Sequence, residues 1–370
     1  MRILAVDIGT GTQDILLFDS ERELENSVKM VMPSPTLVVA DTIRRATATG
    51  RPIVLRGVTM GGGPSHWAAM DHLKAGQPVY ATPAAARTFD DDLDAIAAMG
   101  ITLLADEETD RVPGAVAVDM RDLWFETIFE ALERFGVEPR LDALAVAVFD
   151  HGAAPPGYSD RIFRFEYLAE RVRERNSLTS FAYLREEIPA SLTRLAAAAS
   201  SAPSDLPLLA MDTAPAAVLG ALEDPQVWSR PRAIVANVGN FHCLAFRLED
   251  GRIAGLFEHH SGELTSEKLR RYVEKLAAGT ITNDEVYRDM GHGALMFERD
   301  GQADFPFLAV TGPRRGLLAN SGLEPYLAVP HGDMMLAGCF GLLRAYAARD
   351  PRVAEGVVAR LGPPHSPAAA

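Results

Sequence analysis

The chain of 370 residues has only two cysteines, Cys243 and Cys339, far apart in sequence. Two cysteines exclude a disulfide framework and a four-cysteine zinc site, and they leave an iron–sulfur cluster without its usual thiolates. No stretch of 18 uncharged apolar residues occurs, so no membrane-spanning helix is expected. Positive charge is in deficit: 36 Lys and Arg stand against 50 Asp and Glu, a net charge of −14. A field of that sign repels nucleic acid and anionic membrane, so neither is expected as a partner. It still permits an anionic small ligand, which needs only local backbone donors and a metal. The start, "MRILAVDIG", has one Arg followed by a strand with an acid in it, unlike a secretory leader. A reducing cytoplasm is the expected compartment.

What is present is an ordinary globular composition, 48% hydrophobic and 23% charged. The length exceeds what one core usually serves, which predicts two domains. Short apolar runs alternate with amphipathic stretches, the pattern of α/β architecture. Ser34-Pro35 opens a helix with Ser as N-cap, and "TNDE", Thr282 to Glu285, has capping-box spacing. "AAARTFDDDLDAIAAMG" reads as one helix after Thr82-Pro83, its Asp90 to Asp94 run a solvated face or helix-start charge.

One pattern occurs twice. "ILAVDIGTGTQDILLFD" near the start and "AIVANVGNFHCLAFRLED" later share four apolar residues, a polar residue, an apolar residue, Gly, a polar turn and an apolar strand ending in acid. In register, Asp7 lies on Asn237 and Gly9 on Gly239. Such a repeat points to a duplicated domain. A tight turn between strands exposes consecutive N–H groups that make a nest for phosphate oxygens, and glycine lets the backbone approach closely. An acid ending the first strand, Asp7, holds Mg²⁺ directly or through water. Two opposed nests would clamp a polyphosphate.

The order of these segments resembles the superfamily of acetate and sugar kinases, heat-shock chaperones and actin. The resemblance implies an α/β fold of duplicated ribonuclease-H-like domains with a cleft between them, and ATP with Mg²⁺ as cofactors. Asp7, Gly9, Thr10, Gly11, Thr12 and Gln13 would form the first phosphate loop, and Gly239 with Asn240 the second. Gly312 and Pro313 would border the adenosine. The carbohydrate-kinase branch is similar in motif order, and its catalytic base would fall on Asp212, in "LLAMDTAPAAVLGAL". The whole chain is most similar to a family labelled "putative pyruvate formate-lyase activating enzyme", through its start and its "MGGGP" and "HHSGEL" stretches. That label implies three clustered cysteines, which this chain does not have. The expected first domain runs over residues 1–155, completed by 334–350. The second runs over 156–333 with a helical insertion at 160–200, and 361–370 form a disordered tail. The expected activity is phosphotransfer to a hydroxyl acceptor or ATP hydrolysis. The alternative is a nucleotide-gated module controlling a partner protein.

Other residues stay open. Asp150 and His151 end an apolar strand and compete with Asp212 for the base role; helix capping explains either acid equally well. "MGGGP", Met60 to Pro64, binds an anion at a helix start or is a tight packing turn. His259 and His260 are adjacent on a strand and point to opposite faces, so they do not chelate one metal easily. His292 and His331 read as loop residues near the cleft.

Overall fold

A computed structural model describes residues 1–138, 140–298 and 304–364. The described residues form three sheets. The first uses β1 (Arg2–Ile8), β2 (Thr12–Asp19), β3 (Val28–Pro33), β8 (Ala143–Val148), β9 (Ala182–Leu184) and β10 (Leu208–Asp212), in the order β3-β2-β1-β8-β10-β9. The second sheet uses β11 (Arg232–Val238), β12 (His242–Glu249), β13 (Arg252–His260), β14 (Gly293–Met296), β15 (Phe307–Thr311) and β16 (Tyr326–Leu327), in the order β14-β13-β12-β11-β15-β16. In each, three strands pair antiparallel as a meander, and the first of them then pairs parallel with a later strand. A further parallel strand follows, β10 in one sheet and β16 in the other. This is the duplication expected from the repeat, in the ribonuclease-H-like arrangement that the resemblance implies. The parallel central strands are near-continuous apolar runs because both faces are covered.

The first sheet draws strands from beyond residue 155. β10 pairs parallel with β8, and β9 pairs with β10, so the sheet switch falls after Asp212. The apolar run "LLAM" is buried there on both faces, and no local signal says which sheet claims it. The 160–200 segment is only partly helical: helices Asp160–Glu174 and Thr193–Ser200 flank the edge strand β9. The helix Ala337–Arg349 lies against the first sheet, with Cys339 Sγ 3.2 Å from Asp14 O. In the tail, the helix Pro351–Leu361 reaches the start of the stretch expected to be disordered, and 365–370 lie outside the described residues.

The third sheet, β6 (Ile101–Leu103), β5 (Val79–Ala81), β4 (Ile53–Gly57) and β7 (Val116–Met120) in that order, is wholly parallel and inserted between β3 and β8. It has its own core, including Ile43, Leu55, Ala69 and Met120. β5 and β6 have three residues each, too short for a periodic signal. The single helix expected after Thr82 is two, Pro83–Ala86 and Leu93–Ala98, because Asp92 caps the second by accepting from Asp94 N–H. The capping box at Thr282 and Glu285 forms with both bonds.

Two small-residue helices, Thr213–Ala221 and Ala337–Arg349, cross between the main sheets inside one continuous core. A Cβ on Gly220 would lie 1.6 Å from Ala337 O, and one on Gly341 1.9 Å from Ala216 O. The backbones are therefore in contact, and only glycine fits. Arg344 on one helix forks onto Glu223 just past the other at 2.7 and 2.8 Å, entirely buried.

Candidate functional site

The two glycine turns are built alike. Gly9 N–H donates to Thr12 O and Gly239 N–H to His242 O, each at 2.9 Å. Ser34 supports the first turn from behind. Its hydroxyl donates to Thr10 O at 2.6 Å instead of capping its own helix, and its N–H donates to Gly11 O. In the second turn, Ser261 N–H takes Phe241 O at 2.7 Å. With these carbonyls engaged from behind, the turns hold a fixed shape toward the cleft.

The turns face one another. A Cβ on Gly11 would lie 2.1 Å from Asn240 Nδ2, so the first turn touches the second. One cavity of about 90 Å³ is lined by Asp7, Gly9, Thr10 and Thr12 from the first half and by Gly239, Asn240, Gly312 and Pro313 from the second. Gln13 is not in its wall; strand alternation turns it away, and its amide donates to Pro33 O at 3.1 Å.

Asp14 takes the place expected for Gln13. It is the cross-strand partner of Asp7, on the same face, and both are buried in the cavity wall. Thr213 Oγ1 donates to Asp7 Oδ1 at 2.5 Å, while Asp14 Oδ1 is buried with no partner. Burial pushes the Asp7 carboxyl up to about 7, against the Thr213 hydrogen bond and with help from the Asp212 charge. Burial, then repulsion from Asp7, pushes Asp14 up to about 8. Gly338 leaves the necessary room, since a Cβ there would lie 1.8 Å from Asp7 Oδ2. Two desolvated carboxylates with acceptor capacity to spare fit a hard dication such as Mg²⁺.

A second cavity, about 240 Å³, adjoins the first and shares Thr10, Phe149, Arg194, Phe241 and His242 with it. The "MGGGP" loop forms one wall as a packing turn. Gly61 N–H donates to Asp122 Oδ1 at 3.1 Å, and Asp122 grips Arg194 at 2.7 and 3.0 Å. A Cβ on Gly61 would lie 2.4 Å from Arg194 Nη2. The inserted domain also reaches across, with the Trp67 ring 5.8 Å from that of Phe241.

The expected base candidates separate. Asp212 lies in neither cavity wall. Its Oδ2 accepts from Arg164 Nη1 at 2.7 Å and its Oδ1 from Ala214 N–H at 3.1 Å, capping the Thr213–Ala221 helix. Arg164 also forks onto Glu258 of β13 at 2.7 and 3.0 Å, so it ties the first sheet to the second. Asp150 does line the second cavity, though Gly152 N–H and Leu195 N–H occupy one oxygen each at 2.8 Å. Burial, resisted by those two bonds, raises its carboxyl to about 6.

A histidine cluster joins the halves. His151 follows β8, His242 begins β12 and His292 precedes β14. One ring nitrogen of each lies within 4.8 Å of the other two. Burial drives all three imidazoles toward the neutral form, His151 to about 3, with Arg164 and neighbouring histidines adding to the effect. His292, expected as a loop residue near the cleft, is buried, and His242 carries no expectation from sequence beyond its place in the second glycine turn. Its alignment with Thr12 in the repeat was the one available sign that it faces the cleft. His259 and His260 do alternate: the first sits beside Tyr272, the second beside His242 and His292.

A model of the family described as "Putative pyruvate format-lyase activating enzyme (DUF1786)" matches residues 60–317. A comparison with curated proteins gives no match. Among solved structures, the chain is similar to the ethanolamine utilization protein EutJ from Carboxydothermus hydrogenoformans, at 14% identity over 92% of this chain and 89% of that one, TM-score 0.33. It is similar to a ROK family transcriptional regulator, a homolog of the E. coli MLC protein, at 10% identity over 96% and 81%, TM-score 0.33. A carbohydrate kinase from Novosphingobium aromaticivorans gives 13% identity over 94% and 87%, TM-score 0.21. At these scores the likenesses carry no argument, and the fold rests on strand order and pairing.

Proposed function

The chain belongs to that family, and we propose that it binds ATP with Mg²⁺ between its two glycine turns and acts as a phosphotransferase on a hydroxyl acceptor or as an ATPase. The observation that carries this reading is the pair of equivalent turns facing each other over the buried Asp7–Asp14 pair. Asp7 and Asp14 would hold the metal, the two turns the phosphates, and Gly312 with Pro313 would border the base. Bound Mg²⁺ neutralises phosphate charge, and the protein's share is positioning and electrostatics.

The cleft as it stands has room for about half a dozen waters. Admitting a nucleotide requires the two turns to move apart about the core that the sheets share, a hinge motion. Asp212 is committed to Arg164 and its helix, so the role of activating an acceptor hydroxyl passes to Asp150, which lines the adjoining cavity. The family's description fits these residues poorly. A radical activase holds its cluster through three thiolates, and the two cysteines here are buried in β12 and in the Ala337–Arg349 helix.

A second reading is a nucleotide-gated module that controls a partner protein in the cytoplasm. What favours it is the second turn, where Asn237 and Leu244 stand in register with Asp7 and Asp14 and supply no second acid.

Thermal shift and calorimetry with Mg-ATP test both. A ligand at 100 times its dissociation constant stabilises by about 2.7 kcal/mol. Binding lost in Asp7→Asn supports the site. ADP release with any of a panel of small hydroxy compounds, or with water, selects the enzyme; binding without release selects the module. A wild-type chain that ignores Mg-ATP overturns both.

A further inference from the structure

We propose that His151, His242 and His292 form a zinc site that staples the two halves together and keeps a fourth coordination position open to the second cavity. This does not rest on the nucleotide reading, because the turns would hold phosphate through backbone N–H groups and none of the three imidazoles is needed for that.

The geometry is close to a ready-made site. His151 Nε2 and His292 Nε2 are 3.2 Å apart. Two nitrogens each bound at 2.0–2.1 Å to a tetrahedral ion are about 3.3 Å apart. His242 brings the third nitrogen, with all three within 4.8 Å of one another. Its Nε2 is buried with no hydrogen-bond partner, which in a purely structural histidine would be a standing cost. Its ring is held in place by stacking on Phe149, centroids 3.9 Å apart and planes 10° from parallel.

An outer layer is also present. His292 Nδ1 faces Glu258 Oε1 at 3.3 Å, and the carboxylate is itself gripped by Arg164. His292 Nδ1 makes no hydrogen bond in the metal-free chain, so Glu258 stands behind this ligand as a buried negative charge within reach of it. The donors select the metal class. Three imidazoles without thiolate suit zinc and its first-row neighbours, whereas Mg²⁺ takes oxygen. His151 and His242 line the cavity of about 240 Å³ that adjoins the phosphate cleft. Three protein ligands and an open position are the pattern of zinc sites that bind water or substrate oxygen. The ligand class is therefore a small molecule presenting a hydroxyl or carboxylate oxygen.

The test uses the full-length chain, stripped with chelator and titrated with Zn²⁺, with metal counted by atomic emission. One zinc per chain is expected, and Co²⁺ in its place should give the intense visible absorption of a tetrahedral ion. His242→Gln and His292→Gln should each lose stoichiometric zinc, while circular dichroism shows whether each variant is folded. Glu258→Gln, which removes the charge behind His292, should weaken zinc without abolishing it. Asp7→Asn should bind zinc as wild type does. The proposal is overturned if wild type takes up no zinc, if folded His242→Gln and His292→Gln bind it undiminished, or if Asp7→Asn removes it.

Discussion

The two hairpins that face each other across the cleft share a backbone and differ in chemistry. Each closes through the same 2.9 Å bond from glycine to the residue three positions on. The first carries Asp7 and Asp14 as a cross-strand pair; the second has Asn237 and Leu244 in register with them. Where the first turn has Gly11 and Thr12, the second has Phe241 and His242. One half therefore gathers charge and the other gathers aromatic rings and imidazole. On the proposed function, the shared backbone would specify where a ligand lies, and the side chains which half holds the cation.

The strongest way to break the comparison is to cut the tie between the halves. Arg164 is buried between Asp212 at the end of the first sheet and Glu258 in the second. Arg164→Met leaves two buried carboxylates without a cation and should destabilise by about 3–5 kcal/mol. Chemical denaturation measures this. A loss under about 1 kcal/mol would mean that the halves do not depend on this bridge. Next comes the acid asymmetry. Asp7→Asn should lower Mg-dependent ATP turnover by at least about a hundredfold. Asn237→Asp, the same change made in reverse across the cleft, should leave it within about threefold. Equal losses in both variants would show that the halves are chemically equivalent after all.

Smaller effects come from the crossing helices. Gly220→Ala pushes a methyl against the Ala337 carbonyl and should cost about 1–3 kcal/mol by overpacking. Gly338→Ala instead drives a methyl into the Asp7 carboxylate, so its signature should be loss of Mg²⁺ response. If the two variants behave identically, Asp7 is not positioned by this helix.

Much of this was legible in the sequence. The repeat of strand, glycine turn and strand gave both hairpins, and their order gave the duplicated sheets. Apolar runs long enough to bury on both faces, such as β1, β8 and β11, declared themselves. The inserted third sheet did not, because β5 and β6, at three residues each, are too short for alternation to stand out. Asp14 escaped notice because sequence adjacency favoured Gln13, and only the pairing register turns Asp14 inward. The histidine cluster was invisible because its members come from three separate elements of both halves. Asp212 showed the opposite failing: its position suited a base, but a buried partner far along the chain had already claimed it.

The smallest predicted effect bears most directly on why one half keeps its acids. Asp7 and Asp14 are buried side by side; burial raises the cost of ionising both, and the Asp7 charge adds to the cost for Asp14. Without a cation that arrangement is a stability deficit, as binding sites often are. Asp14→Asn removes one charge and supplies a donor toward Asp7, so in chelator it should melt a few degrees above wild type. Adding Mg²⁺ should raise wild type and leave the variant unmoved, reversing or closing the gap. Leu244→Asn, the matching position of the other hairpin, should only lose buried apolar contact and melt lower in both conditions. A variant Asp14→Asn that is less stable in chelator would mean that the acid is held by the fold for packing, and the asymmetry between the hairpins would then have no bearing on a metal.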